Sequence, residues 1–202
     1  SWNNHETNHA IFACGGLNTT LNIIDPRVNG EKGNNFKAVW SIATQHHSGI
    51  SQVKWSPLVE TWVATGGEDG MIKIWDLRYT KKALHTNTTH QQNQQASIAN
   101  RILYHHTGAI TSLNWSNSHV ELIISGSTDG LVKCWNFRYQ PHYLILNHTL
   151  EQYEYNHVIG TQFSPSHPQQ FITANSKGYI DSCYLTNNLL YNFVKHDDDE
   201  KL

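Results

Sequence analysis

One stretch of this chain is written twice. Residues 49–56 read GISQVKWS and residues 62–76 read WVATGGEDGMIKIWD; sixty positions later, residues 109–116 read AITSLNWS and residues 123–136 read IISGSTDGLVKCWN. Trp55 and Trp115 are 60 apart, and so are Asp69 and Asp129. A period held this closely marks a stacked repeat architecture, in which each unit buries its apolar face only against its neighbours. Within each copy, apolar runs of four to six residues are rich in β-branched and aromatic side chains and bounded by Gly, Asp, Asn and Pro, the pattern of short antiparallel strands. Asp69-Gly70 and Asp129-Gly130 lie between two such runs, where a tight hairpin is expected.

Two weaker copies flank the pair. Phe12-Ala13-Cys14-Gly15-Gly16 followed by Leu21–Asp25 lies 51 positions before its counterpart, and Val158–Pro165 with Phe171–Ala174 and Tyr179–Cys183 lies 48 after. The expected division is into four units, 1–45, 46–100, 101–152 and 153–202, forming one domain. Residues 80–101 are a polar insertion of Asn, Gln, Thr and His that cannot repay its own ordering entropy, so a loop is expected. The run His196–Lys201 is read as a solvated acidic tail.

Composition narrows the function. Charged residues are 15% of the 202 and the net charge is -2, so no basic face exists to displace counterions from nucleic acid. No apolar run approaches the roughly 18 residues that span a bilayer, so no membrane insertion is expected. Cys14, Cys134 and Cys183 are far apart and odd in number, which suits a reducing, intracellular compartment and gives no zinc spacing. Fourteen histidines include the adjacent pairs His46-His47 and His105-His106, but neighbours on a strand face opposite ways and do not make one ligand site. Asp69 and Asp129 recur once per repeat, which marks structure and not a catalytic dyad. With no nucleophile elbow, phosphate loop or Cys–His arrangement, neither catalysis nor a cofactor or metal is expected.

The Asp-Gly turns, with Trp75-Asp76 and Trp135-Asn136 closing the next strand, resemble the WD40 repeat over most of the chain. The resemblance implies an all-β propeller of four-stranded antiparallel blades. It also implies about six to eight blades in the closed ring, so these four are expected to belong to a larger propeller, within a longer polypeptide or completed by another chain. In the family, His, Ser or Thr, Asp and Trp form a hydrogen-bonded tetrad. That tetrad maps onto His46, Thr65, Asp69 and Trp75, and onto His106, Ser125, Asp129 and Trp135, with a His-to-Asp interval of 23 in both. In the last repeat Lys177, Tyr155 and Cys183 replace the Asp, His and Trp, and in the first Asn18-Thr19-Thr20 and Ile24 replace turn and Trp. Those two units are expected to pack without a tetrad.

The function so implied is a non-catalytic scaffold for other proteins. Partner contacts are expected beside the tetrads, at Glu68, Thr128 and Ser176 before the turn position and at His47 and Thr107 after the His position. Trp75–Arg78 and Trp135–Arg138 also resemble the WDxR box of cullin-RING ligase substrate receptors, which would give Arg78 and Arg138 a ligase adaptor as partner. A third reading, chromatin or nucleic-acid association, predicts affinity that falls steeply with salt.

Overall fold

The computed structural model describes residues 1–5, 10–28, 38–79, 101–103, 106–136, 144–149 and 157–185. Among these residues, fourteen strands form four antiparallel sheets: β1 (Phe12–Cys14), β2 (Thr20–Ile24) and β3 (Trp40–Ala43); β4 (Ile50–Trp55), β5 (Trp62–Gly67), β6 (Ile72–Asp76) and β7 (Arg101–Leu103); β8 (Ile110–Trp115), β9 (Leu122–Ser127), β10 (Leu131–Asn136) and β11 (Leu144–Thr149); and β12 (Val158–Phe163), β13 (Gln170–Asn175) and β14 (Ile180–Tyr184). The two central sheets are four-stranded and antiparallel, the blade that the resemblance implies. Each flanking sheet shows three strands among the described residues, and Trp2 adds a single bridge to Phe12 in the first.

Arg101–Leu103 pairs with β6 and so completes the second sheet, although the sequence places a unit boundary before residue 101. An outermost strand lies after the insertion in sequence, where no periodicity ties it to its own sheet. The rest of the expected polar loop, 80–100, lies outside the described residues, as do Tyr155, Arg138 and the acidic run 196–201.

Three apolar cores lie between successive sheets. Ala13, Leu21, Ile23 and Ile42 meet Trp55, Val63, Trp75 and Leu77 between the first two. Ala64, Ile72, Ile74 and Leu103 meet Ile110, Leu113, Trp115 and Trp135 between the second and third. Leu122, Ile124, Val132 and Cys134 meet Val158, Phe163 and Phe171 between the third and fourth. A single blade has two faces to cover, and stacking covers both.

The stacking has a repeated lock. The first strand of the last three sheets carries a bulge at its second residue: Ser51, Thr111 and Ile159. The Ser51 and Thr111 hydroxyls donate across to the next sheet, to the carbonyls of Ile110 and Val158. The side chains of those same residues sit against Gly66 and Gly126, as Ile50 sits against Gly15. Three blades therefore present a glycine to the branched residue that opens the following one.

Candidate functional site

The hairpin between β5 and β6 turns through Glu68, Asp69 and Gly70. Gly70 donates its N–H to the Gly67 carbonyl and adopts φ 75°, a left-handed conformation that glycine takes without steric cost. Gly130 (φ 81°) and Gly178 (φ 87°) do the same in the next two sheets. This turn points the Asp69 carboxylate back under the chain entering β4.

There it meets His46. The Trp75 indole N–H donates to Thr65 Oγ1 at 3.0 Å, and the Thr65 oxygen lies 2.9 Å from His46 Nε2. An indole nitrogen can only donate, so the Thr65 oxygen accepts from it; the Asp69 carboxylate can only accept, so the neutral imidazole turns its N–H toward that carboxylate and leaves Nε2 to accept the Thr65 hydroxyl proton. The remaining ring proton is then on Nδ1, 3.0 Å from both Asp69 oxygens. The same carboxylate accepts the His47 N–H at 2.8 Å and the Met71 N–H at 3.1 Å. The third sheet repeats the arrangement: Trp135 to Ser125 at 2.8 Å, Ser125 to His106 at 2.8 Å and His106 to Asp129 at 2.9 Å, with the Thr107 and Leu131 amides on the carboxylate. Both His side chains are fully buried and both Asp side chains nearly so.

Burial pushes His46 below its ordinary value, outweighing the pull of Asp69. Burial alone would raise Asp69, but the His47 and Met71 amides and His46 more than reverse it, leaving Asp69 below the carboxylate range. Asp129 is likewise held well below it, chiefly by His106. The sign for stability follows. A group whose pKa is lower folded than unfolded binds fewer protons in the native state, so stability is complete above the unfolded value and is lost as pH falls. We expect the urea midpoint to be flat above about pH 6.5, to drop below it as unfolded His46 protonates, and to drop again below about pH 4 as Asp69 and Asp129 follow. The first drop should shrink in His46→Gln; a midpoint that rises toward pH 5 would contradict the assignment.

Sequence reasoning passed over two lysines. Lys73 lies inside the apolar strand β6, buried, and its ammonium donates to the Thr44 and Gln45 carbonyls at 2.9 and 2.7 Å. Gln45 holds φ 56°, an uncommon value for a residue with a side chain, and it immediately precedes His46. Lys73 thus pins the bend that delivers the histidine. Desolvation lowers its pKa against the pull of Asp69, and Lys133, 60 positions on, is buried and shifted for the matching reasons. The signal was available as a lysine recurring at one register position between apolar neighbours. Lys73→Met should cost about 2 kcal/mol, because two buried carbonyls lose a charged donor; a change in urea midpoint equivalent to under about 0.5 kcal/mol would remove that role.

In the last sheet Asn175 takes over the turn. Its side-chain oxygen accepts the Lys177 and Tyr179 amides, both at 3.0 Å, where Asp129 would hold the equivalent of Tyr179. The Thr173 hydroxyl, in the position of Ser125, is buried without a hydrogen-bond partner among the described residues.

The expected contact residues ring these turns. His47 and Glu68 flank Asp69 and are exposed; Thr107 and Thr128 flank Asp129, with Thr107 exposed and Thr128 half-buried; Ser176 is exposed in the last sheet. Arg78 is elsewhere, at the opposite end of the strands, beyond β6. It donates through Nε and Nη2 to Asp76, with its own amide on the same carboxylate and its guanidinium over Tyr79. Burial would raise Asp76, but Arg78 and the Trp62 indole bring it down to about 2. Asp25 and Arg27 form the same pair in the first sheet, which lacks the tryptophan. A box that recurs there with its arginine turned back on its own carboxylate closes the strand by itself. Among the described residues, no group of three or more His, Cys, Asp or Glu is placed to hold a metal ion.

The family described as WD domain, G-beta repeat matches residues 39–76 and 98–136. Over 140 residues, 65% of this chain, the sequence is 32% identical to the peroxisomal targeting signal 2 receptor of Saccharomyces cerevisiae, of which that stretch is 34%. Over 161 residues, 72% of the chain, it is 27% identical to the protein transport protein sec31 of Emericella nidulans, of which that stretch is 11%. A shorter stretch of 92 residues is 34% identical to SEC31 of Candida glabrata, 6% of that protein. The chain thus spans about a third of the first relative and about a tenth of the second. With two matched repeats folded as four-stranded blades around their tetrads, this chain is a WD40-repeat protein.

Proposed function

We propose that the chain is a non-catalytic docking scaffold, and that the edge carrying His47, Glu68, Thr107, Thr128 and Ser176 receives its protein partners. The observation that carries this is the state of the tetrads. Each carboxylate accepts one imidazole and two backbone amides, and the imidazole's other nitrogen is taken by Thr65 or Ser125. Groups so fully used are spent on holding the loops still and leave no acid, base or nucleophile for substrate. What the edge offers instead is a row of polar side chains at fixed backbone positions, which suits recognition because little loop entropy is lost on binding.

The relatives agree with this reading in kind. One is named as the receptor of a targeting signal and the other as a protein transport protein, both names for proteins that deal with other proteins. An intracellular location belongs to the same proposal.

The test is to change His47, Glu68, Thr107, Thr128 and Ser176 together to alanine in the full-length protein. The backbone amides of residues 47 and 107 survive, so the tetrads and the thermal midpoint should be kept. Partners recovered by affinity capture with wild type should bind at least tenfold more weakly to the variant. Unchanged binding of every partner would remove this edge as the docking surface.

A further inference from the structure

Trp62 fills the end of the interface between the second and third sheets. Its ring lies against that of Trp115, centroids 6.5 Å apart and planes inclined 35°, and its indole N–H donates to Asp76 Oδ2 at 3.0 Å. The interface between the first and second sheets has the same parts one repeat earlier. Asp25 stands for Asp76 and Trp55 for Trp115, in the same register. The position of Trp62, however, is held by Ile11.

The smaller side chain leaves a space. A cavity of about 810 Å³ opens there, lined by Ile11, Ile23, Asp25, Trp40, Trp55 and Leu77 among others. Its size is within the range of sites that bind small molecules or a side chain. The counterparts of the two groups that receive an indole in the next interface both border it, a tryptophan ring to stack on and a carboxylate to accept the ring N–H, and so does Ile11 at the position the indole would occupy. Asp25 Oδ2 accepts Arg27 Nη2, while Asp76 Oδ2 accepts Arg78 and the Trp62 indole as well. Asp25 Oδ2 therefore has acceptor capacity that its counterpart has used.

We propose that this groove is a docking site for a tryptophan side chain carried by a partner protein. The ring stacks on Trp55, and its N–H donates to Asp25 as Trp62 does to Asp76. The occupant is argued from the molecule's own second copy of the site, which is already filled by that side chain. Tryptophan is also among the residues enriched at interface hot spots, because it joins a large apolar face to one directed donor. The groove lies at the end of the sheets opposite the Asp-Gly turns, so it stands or falls independently of the edge assigned above.

The probes are indole, 1-methylindole and N-acetyl-L-tryptophanamide, titrated into the full-length protein and followed by saturation-transfer NMR and calorimetry. Indole and the amide should bind wild type, and 1-methylindole, which lacks the N–H, should bind at least fivefold more weakly. Ile11→Trp, which supplies the missing ring in cis, should abolish binding of all three. Asp25→Asn should narrow the difference between indole and its methyl derivative. Absence of indole binding, equal affinity for the two indoles, or binding that survives Ile11→Trp would each overturn the site. Self-association of wild type that Ile11→Trp removes would overturn the partner assignment in favour of a second copy inserting its exposed Trp2.

Discussion

Asp69→Ala should destabilise the protein by about 3–5 kcal/mol, because three donors lose their acceptor at about 1–3 kcal/mol for each that is left buried and unsatisfied. The loss is large because one carboxylate serves three donors: the His46 imidazole and the His47 and Met71 amides. Without it His46 keeps a buried Nδ1 proton with nothing to receive it, and two backbone N–H groups at the hairpin lose their acceptor. The hydroxyl link from Thr65 to His46 cannot compensate, since the Thr65 proton is already donated to Nε2. Asp69→Asn should be milder, at about half the loss, because its oxygen still accepts one or two of these donors. The measurement is equilibrium urea unfolding at pH 7.5 with a common slope. An Asp69→Ala loss under about 1 kcal/mol would mean that the tetrad does not hold the blade together.

Much of this is legible in the chain itself. The 60-residue register places His46, Thr65, Asp69 and Trp75 beside the second set because one backbone geometry serves both copies, and the structure finds each set within hydrogen-bonding distance. The legible features are those where a special residue is required at a special place, as at Asp69-Gly70. What was not legible depends on what lies across an interface. Gly66 and Gly126 read as ordinary strand glycines until Ile110 and Val158 are seen pressed against them. Ser51 and Thr111 read as polar strand residues, because nothing local shows that they bond the next sheet. Lys73 draws no notice in the sequence, since period-two alternation cannot tell a buried donor from an exposed one. Asn175 replaces the turn aspartate from two residues earlier, a substitution of role that no position-by-position comparison detects.

The glycine sockets give the second large effect. Gly126→Ala should cost about 3 kcal/mol, at the upper end of what a single added methyl does in a tight core. A Cβ there would lie 2.3 Å from Val158 Cγ1 and 2.7 Å from Ser112 Oγ, both far inside contact. Val158 is β-branched and buried, so its methyl cannot swing away without leaving its preferred rotamer. Its carbonyl is held by the Thr111 hydroxyl, so the strand cannot slide either. The third and fourth sheets must then separate along the line where Ile124, Val132 and Phe171 pack. Backbone preference works the other way: Gly126 is not among the positive-φ residues, and alanine in a strand is otherwise favoured over glycine by about 0.5–1 kcal/mol. Any loss therefore reports crowding alone. Gly160→Ala supplies the comparison, since the nearest atom to its added methyl is Ala174 Cβ at 3.9 Å, ordinary contact, and that variant should be neutral within about 0.5 kcal/mol. Adding Val158→Ala to Gly126→Ala should recover part of the loss, since it removes the 2.3 Å overlap with Cγ1 while Ser112 Oγ at 2.7 Å and the residue-158 Cβ at 2.9 Å remain, although Val158→Ala alone destabilises. A coupling of at least about 1.5 kcal/mol in that double-mutant cycle, read from urea midpoints, identifies the socket as the contact that sets the spacing between blades. Strict additivity would mean that the sheets are spaced by the rest of the core and that the glycine is incidental.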